Sequence, residues 1–330
     1  MIGVLGSGSW ATAIVKILLE DKDRIINWWV REPEVIEGLL SERHNPLYLR
    51  EVQIDTDRIH ISSNIRDIVE ASHEIFVVVP SAFVDSALGN LSPELLKDKF
   101  FVSATKGIVP ETNQVVTEYL HSKFGIDHMN MAAMIGPTHA EETAQERLSY
   151  LTVASANEVF ANKVRNHIKC HYVRTKYSSE MIALEYSAVL KNIYAVAVGM
   201  AHGLGRGDNI IAVLVSNALR EGYKLVSKLM PREDILLAVQ TASMGDLLVT
   251  CYSQHSRNRS FGNMIGRGYS VKGAQLEMNM IAEGYYAVAC IEKMRADLGV
   301  EMPIVQTVYK ILYEKGNCRR QMQYLLENLN

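Results

Sequence analysis

The N-terminal stretch Ile2-Gly3-Val4-Leu5-Gly6-Ser7-Gly8-Ser9-Trp10-Ala11-Thr12, running on to Glu20, holds a strand, a turn and a helix in succession. Ile2–Leu5 is a short apolar run bounded by glycine, which predicts a buried strand. Gly6 to Ala11 fits the pattern G-x-G-x-x-G/A, and Thr12–Glu20 continues as a helix. That order of elements is the dinucleotide-binding fingerprint. Gly6 permits the tight turn, Gly8 lets a pyrophosphate approach the backbone, and the small Ala11 keeps helix and strand close. The start of the helix offers unpaired N–H groups to the phosphates. The glycine pattern alone is weak evidence; here the required strand and helix flank it.

Further apolar runs lie at Ile25–Val30, Ile75–Val79, Phe100–Ala104, Met131–Ile135, Leu151–Ala154 and Tyr172–Val173. Nearly continuous apolar segments belong to parallel strands covered on both faces. Their alternation with helical patterns predicts an α/β Rossmann-type doubly wound sheet. From about Ser179 long helical patterns replace the strand signals, which predicts an all-α C-terminal domain. The expected division is therefore 1–178 for the dinucleotide-binding domain and 179–330 for an all-helical substrate domain. The second strand ends at Val30-Arg31-Glu32. An acid at this place holds the ribose hydroxyls of NAD, whereas an arginine takes the 2′-phosphate of NADP. Both are present, so NADP(H) and NAD(H) stay open, with Arg31 favouring NADP(H).

Composition narrows the partners. The 330 residues are 48% hydrophobic and 22% charged, an ordinary globular balance at a length that favours two domains. A net charge of −3 gives no bulk attraction to nucleic acid or to an anionic membrane, so a local basic cluster must carry any anion binding. Cys170, Cys251, Cys290 and Cys318 form no metal or CxxC spacing and read as thiols of a reducing cytosol. No basic segment precedes an apolar one at the N-terminus, and no long apolar run is free of charged and polar residues. The expectation is a cytoplasmic protein with no membrane segment.

Two isolated charges of opposite sign point to the chemistry. Between Met181 and Leu204 the only formal charge past Glu185 is Lys191; between Ile235 and Ser256 it is Asp246. Lys and Asp are rarely buried unless paired, so both suggest a dry polar site. Reducing a ketone by hydride makes an alkoxide that needs a proton, which a Lys ammonium can supply. Burial and a nearby Lys106 lower its pKa towards the working range, and Asp246 opposes them. Ligands in such folds sit beyond the carboxyl ends of the strands, where Pro80-Ser81, Lys106-Gly107 and Gly136-Pro137-Thr138-His139 occur. Ser256-Arg257-Asn258-Arg259 sets guanidinium forks suited to phosphate among neutral donors. The bland alternatives are a structural Lys–Asp pair, an exposed basic loop, and Thr138 as a mere cap for the helix starting near Ala140.

Together these residues resemble the bacterial NAD(P)-dependent glycerol-3-phosphate dehydrogenase family. The likeness runs through G-S-G-S-W-A-T-A at Gly6, W-V-R at Trp29, N-P-L-Y-L at Asn45, V-V-V-P-S at Val77, S-A-T-K-G at Ser103 and I-G-P-T-H-A-E-E at Ile135. It continues through L-K-N at Leu190, G-D-L-L-V-T-C at Gly245, S-R-N-R at Ser256, A-E-G at Ala282 and M-P-I at Met302. The resemblance implies reversible reduction of dihydroxyacetone phosphate to sn-glycerol 3-phosphate, a phospholipid precursor. It implies a C-terminal domain like that of 6-phosphogluconate dehydrogenase, and a homodimer. Carried over, Lys191 is the proton donor and acceptor with Asp246 beside it. Lys106, Gly136, Thr138, Ser256, Arg257 and Asn258 hold the substrate. Gly6, Gly8, Ser9, Trp10, Arg31, Tyr48, Lys106, Ala140, Arg257, Ile281 and Glu283 line the cofactor site. The chain departs from the family at Ala11 (commonly Gly), Thr138 (commonly Ser) and Arg50 (often Pro). The rival readings are a β-hydroxyacid dehydrogenase of similar two-domain build, and a non-catalytic NADP(H)-sensing protein.

Overall fold

The computed structural model describes residues 1–230, 241–278 and 282–329. They divide into two compact units: Met1–Thr105 with Val116–Ile182, and Lys106–Val115 with Ala183–Asn330.

The first unit is built on an eight-stranded sheet. Its strands are β1 (Ile2–Leu5), β2 (Ile26–Trp29), β3 (Ile59–Ser62), β4 (Glu74–Val77), β5 (Phe100–Ser103), β8 (Met131–Ile135), β9 (Ser149–Ala154) and β10 (Val173–Ser178). The order is β10-β9-β8-β5-β4-β1-β2-β3, parallel throughout except between β8 and β9. β1, β4 and β8 are buried at every position, as the apolar runs require of strands covered on both faces. Leu5 lies level with Trp29 and Val77 across the ladder. That register brings Gly6, Val30-Arg31 and Val78 to one carboxyl edge of the sheet, where the reading of the sequence places ligands.

The sequence signals were weakest at the margins. β3 carries the half-exposed pattern I-H-I-S at one edge of the sheet. It lacks the apolar continuity that marks the inner strands. β10 forms the other edge and runs on through Arg174 and Lys176 to Ser178, beyond the Tyr172–Val173 run. The dinucleotide helix starts at Ser9 and ends at Leu18.

Residues 106–115, assigned by sequence to the range 1–178, instead fold with the second unit. They form a short antiparallel hairpin of β6 (Ile108–Val109) and β7 (Gln114–Val115). Ile108 and Val109 are fully buried, and β6 packs on the helix Glu283–Leu298. Two-residue strands are too short to show periodicity, and the burial that fixes them comes from residues far along the chain.

The second unit is helical and centres on Met181–Gly203. This helix is long and apolar enough to cross a membrane, but its side chains are buried inside the unit, as a helix apolar all round requires. Against it lies the helix Arg257–Gly266. Each presents two glycines four residues apart, Gly199 and Gly203 on one, Gly262 and Gly266 on the other. A Cβ added at Gly199 would stand 2.1 Å from Arg259 O, and one at Gly262 would stand 2.0 Å from Val196 O. The two helices therefore touch backbone to backbone, with no room for a methyl group. This contact fixes where the start of the second helix, Ser256-Arg257-Asn258, stands along the first.

Candidate active site

In the first unit β1 feeds directly into the glycine turn. Gly6 has φ +125°, and a Cβ on it would lie 2.7 Å from Val78 O, so the turn needs glycine on both counts. The indole N–H of the buried Trp28 donates to Gly6 O at 2.7 Å. Gly8 precedes the helix Ser9–Leu18 in extended conformation, and no side chain caps that helix. A Cβ at Gly8 would meet nothing within 4 Å. An uncapped helix start beneath open space is what a diphosphate requires, so these residues fit a dinucleotide.

The other residues read as cofactor contacts in this unit lie as follows. Arg31 is largely exposed just past β2, and its guanidinium donates to Glu32 at 2.9 Å. Glu32 also accepts from the Ser7 hydroxyl of the turn. Partial burial pushes its carboxyl up, but the Ser7 hydroxyl, its own amide and Arg31 outweigh this and hold it below the usual range. Tyr48 is half-buried, with its backbone N–H bonded to Asn45. Ala140 opens the short helix Ala140–Ala144. The residue before that helix is His139, and the Thr138 hydroxyl reaches Gly136 O at 3.3 Å rather than capping it.

The second unit gathers the isolated charges. Lys106, at the foot of the hairpin, reaches Asp246 Oδ2 at 2.9 Å; Lys191 Nζ stands 3.3 Å from Asp246 Oδ1. All three side chains are buried or nearly so. One carboxylate thus bridges two ammonium groups, leaving one positive charge in excess. Burial pulls the Lys191 pKa down, Asp246 pulls it back up and Lys106 lowers it again, to about 8.

Two neutral residues that the reading of the sequence did not single out complete the arrangement. The Thr250 hydroxyl donates to Asp246 O at 2.6 Å and accepts from Lys191 Nζ at 2.8 Å. Asn192 donates to Lys106 O at 2.7 Å, and its Oδ1 accepts from Lys191 at 3.1 Å and from Asn258 Nδ2 at 2.9 Å. Asn258 Oδ1 in turn accepts from Gly284 N at 2.9 Å. Each carried a signal. Thr250 follows Asp246 by one helical turn, hence on the same face, and Asn192 adjoins Lys191.

Ser256 is buried and caps the helix Arg257–Gly266 by accepting from Arg259 N at 3.2 Å. Arg257 opens that helix and Glu283 opens the helix Glu283–Leu298. Ile281 lies outside the described residues. Among the described residues no cluster of metal-ligating side chains occurs. A buried lysine beside a carboxylate and a second lysine has the chemistry to protonate an alkoxide and to suit an anionic substrate.

Two family models cover nearly the whole chain. The NAD-dependent glycerol-3-phosphate dehydrogenase N-terminus matches residues 1–161, and the C-terminus of the same enzyme matches residues 180–323. The chain belongs to this family. It is similar to the glycerol-3-phosphate dehydrogenase (NAD(P)+) of Chlorobium limicola, with 33% identity over 314 residues, 95% of this chain and 93% of that one. The enzyme of the same name from Syntrophotalea carbinolica is 33% identical over 327 residues, 99% of this chain and 97% of that one. Among solved structures, glycerol-3-phosphate dehydrogenase from Coxiella burnetii superimposes with a TM-score of 0.92 at 28% identity, over 99% of this chain and 98% of that chain. The family resemblance drawn from the motifs and the α/β-then-α architecture are both upheld.

Proposed function

We propose that this chain catalyses the reversible NAD(P)H-dependent reduction of dihydroxyacetone phosphate to sn-glycerol 3-phosphate, with Lys191 as the proton donor and acceptor. The observation that carries the lysine assignment is the buried Lys106–Asp246–Lys191 cluster, in which Lys191 is drawn to about 8. An ammonium poised near the working pH can both give and recover a proton. When bound, the nicotinamide supplies the hydride that reduces C2. Lys191 Nζ gives its proton to the oxygen left on C2, and in the reverse direction the neutral amine takes that proton back. Asp246 and Thr250 hold Lys191 in place. The surplus positive charge of the cluster suits an anionic substrate.

For the remaining contacts we follow the family resemblance. Gly136, Thr138, Ser256, Arg257 and Asn258 hold substrate with Lys106. Gly6, Gly8, Ser9, Trp10, Arg31, Tyr48, Ala140 and Glu283 hold the cofactor with Lys106 and Arg257. The product supplies glycerophospholipid synthesis. The four cysteines are free, which suits the cytoplasm, and the family resemblance supports a homodimer.

Nicotinamide absorbance tests the reaction. Rapid oxidation of NADPH or NADH with dihydroxyacetone phosphate is expected, with none for unphosphorylated dihydroxyacetone. Turnover of a hydroxy acid without need for phosphate would instead mark a β-hydroxyacid dehydrogenase.

Two substitutions separate the anion-binding roles. Arg257→Ala is expected to raise KM for dihydroxyacetone phosphate about tenfold to hundredfold, the loss of a charge-assisted hydrogen bond. An unchanged KM removes Arg257 from the substrate site. Arg31→Ala is expected to lower kcat/KM for NADPH about tenfold or more relative to NADH, because only the 2′-phosphate needs the guanidinium. Equal losses with both cofactors would show that Arg31 does not read the 2′-phosphate.

A further inference from the structure

We propose that Asn45 is a positioning residue for the dinucleotide turn, acting through the Ser7 carbonyl. The inference rests on the reading of Gly6–Ala11 as a cofactor turn. Asn45 is wholly buried. Its Nδ2 donates to Ser7 O at 2.8 Å and to Thr12 Oγ1 at 3.0 Å. Its Oδ1 accepts from Leu47 N and from Tyr48 N, both at 3.1 Å. A carboxamide has two N–H donors and two acceptor lone pairs, so all four are engaged. The pattern also settles which way the amide faces, since neither a carbonyl nor two backbone N–H groups would tolerate the flipped arrangement.

The consequence lies in the turn. A loop that binds an anion must present N–H groups to it and keep its carbonyl oxygens turned away and satisfied. Each carbonyl from Gly6 to Gly8 has its own internal donor. Gly6 O accepts from Trp28 Nε1, Ser7 O from Asn45 Nδ2, and Gly8 O from Thr12 N at 2.9 Å. Two of the three donors come from the first strand–helix unit's immediate neighbourhood, β2 and the helix itself. The middle carbonyl takes its bond from Asn45, a residue more than one element away along the chain. The same side chain grips the Tyr48 loop by two amides, so the conformation of the turn and the placement of that loop are set together. Nothing in this set of bonds reaches the Lys191 cluster, which belongs to the other unit. The effect of Asn45 should therefore fall on cofactor affinity and spare the chemical step.

The test compares Asn45→Ala with Asn45→Leu, which keeps the branched outline of the side chain, with more bulk, and has no polar atoms. NAD(P)H affinity is measured by direct titration, alongside kcat and both KM values. Either variant is expected to weaken NAD(P)H binding and raise its KM about tenfold or more, the cost of leaving Ser7 O unsatisfied. With cofactor saturating, kcat and KM for dihydroxyacetone phosphate should stay near wild type. If Asn45→Ala does not fold, Asn45→Leu carries the measurement. Unchanged cofactor affinity in a folded variant overturns the proposal. So does a parallel loss of cofactor affinity, kcat and substrate KM, which would mark a general structural role. Wild-type protein that binds no NAD(P)H in the same titration would overturn the functional reading itself.

Discussion

Lys191→Met is expected to lower kcat for dihydroxyacetone phosphate reduction by roughly 10²–10⁴, the usual contribution of a positioned acid or base. NAD(P)H affinity should be retained, because the glycine turn belongs to the other unit. Methionine keeps most of the volume of the lysine stem, so a loss of rate cannot be laid to a cavity. The pH dependence makes the assignment sharper. Reduction needs Lys191 as the ammonium, so its kcat/KM should fall as pH rises through about 8. Oxidation of glycerol 3-phosphate needs the neutral amine and should rise through the same value. Asp246 is the group that raises the pKa against burial and Lys106. Asp246→Asn removes that support and should move both limbs to lower pH, besides slowing turnover. Rate profiles in the two directions, wild type against Asp246→Asn, are the measurement. Limbs that stay in place in Asp246→Asn, or full activity in Lys191→Met, would remove Lys191 from proton transfer.

Gly262→Ala is the substitution expected to damage the fold most. Its Cβ would stand 2.0 Å from Val196 O and 2.9 Å from Val196 C. The obstruction is backbone, not the end of a pliable side chain, so two helices must part. Overpacking in cores typically costs ~1–3 kcal/mol and occasionally more, and a backbone clash belongs at the upper end. For a unit of this size that corresponds to a fall in Tm on the order of 5–10 °C. Activity should suffer beyond the stability loss, because parting these helices shifts Asn258 from Asn192. By contrast, Gly268→Ala should leave Ser256-Arg257-Asn258 in place; that glycine has φ +101° but no neighbour within 4 Å, so its cost is conformational only. Thermal unfolding of the two variants side by side tests the difference. Equal, small shifts would mean that the helices can separate cheaply.

Much of this architecture can be read in advance because burial on both sides leaves a strong mark. The inner strands β1, β4, β5 and β8 are short runs made mostly of apolar residues, interrupted only at their ends by Glu74 in β4 and Ser103 in β5. The edges are different. β3 and the end of β10 mix polar and apolar residues, and only their pairing makes them strands. Lys191 and Asp246 stand out because a charge in an apolar helix demands a partner, and each proves to be the other's. Asn192 and Thr250 are marked only by their spacing from Lys191 and Asp246, and Asn45 by less, because a neutral side chain shows its part only once its hydrogen-bond partners are known. Asn45 in particular enters only as the first residue of N-P-L-Y-L, with no role of its own. The four glycines of the helix contact show a regular spacing, but the sequence does not say which helix meets which.

The hairpin of β6 and β7 bears on how this protein can be taken apart and recombined. The polypeptide leaves the first unit at Thr105, returns at Val116 and leaves again after Ile182. No single cut therefore yields two whole pieces. A fragment ending near residue 178 would carry an orphaned hairpin with its apolar side bare, and the complementary fragment would lack Lys106, one of the two lysines that flank Asp246. A chimera that exchanges the C-terminal half with that of a relative would join one protein's Lys106 segment to another's helices. The exchange that respects the packing moves residues 106–115 together with everything after 182.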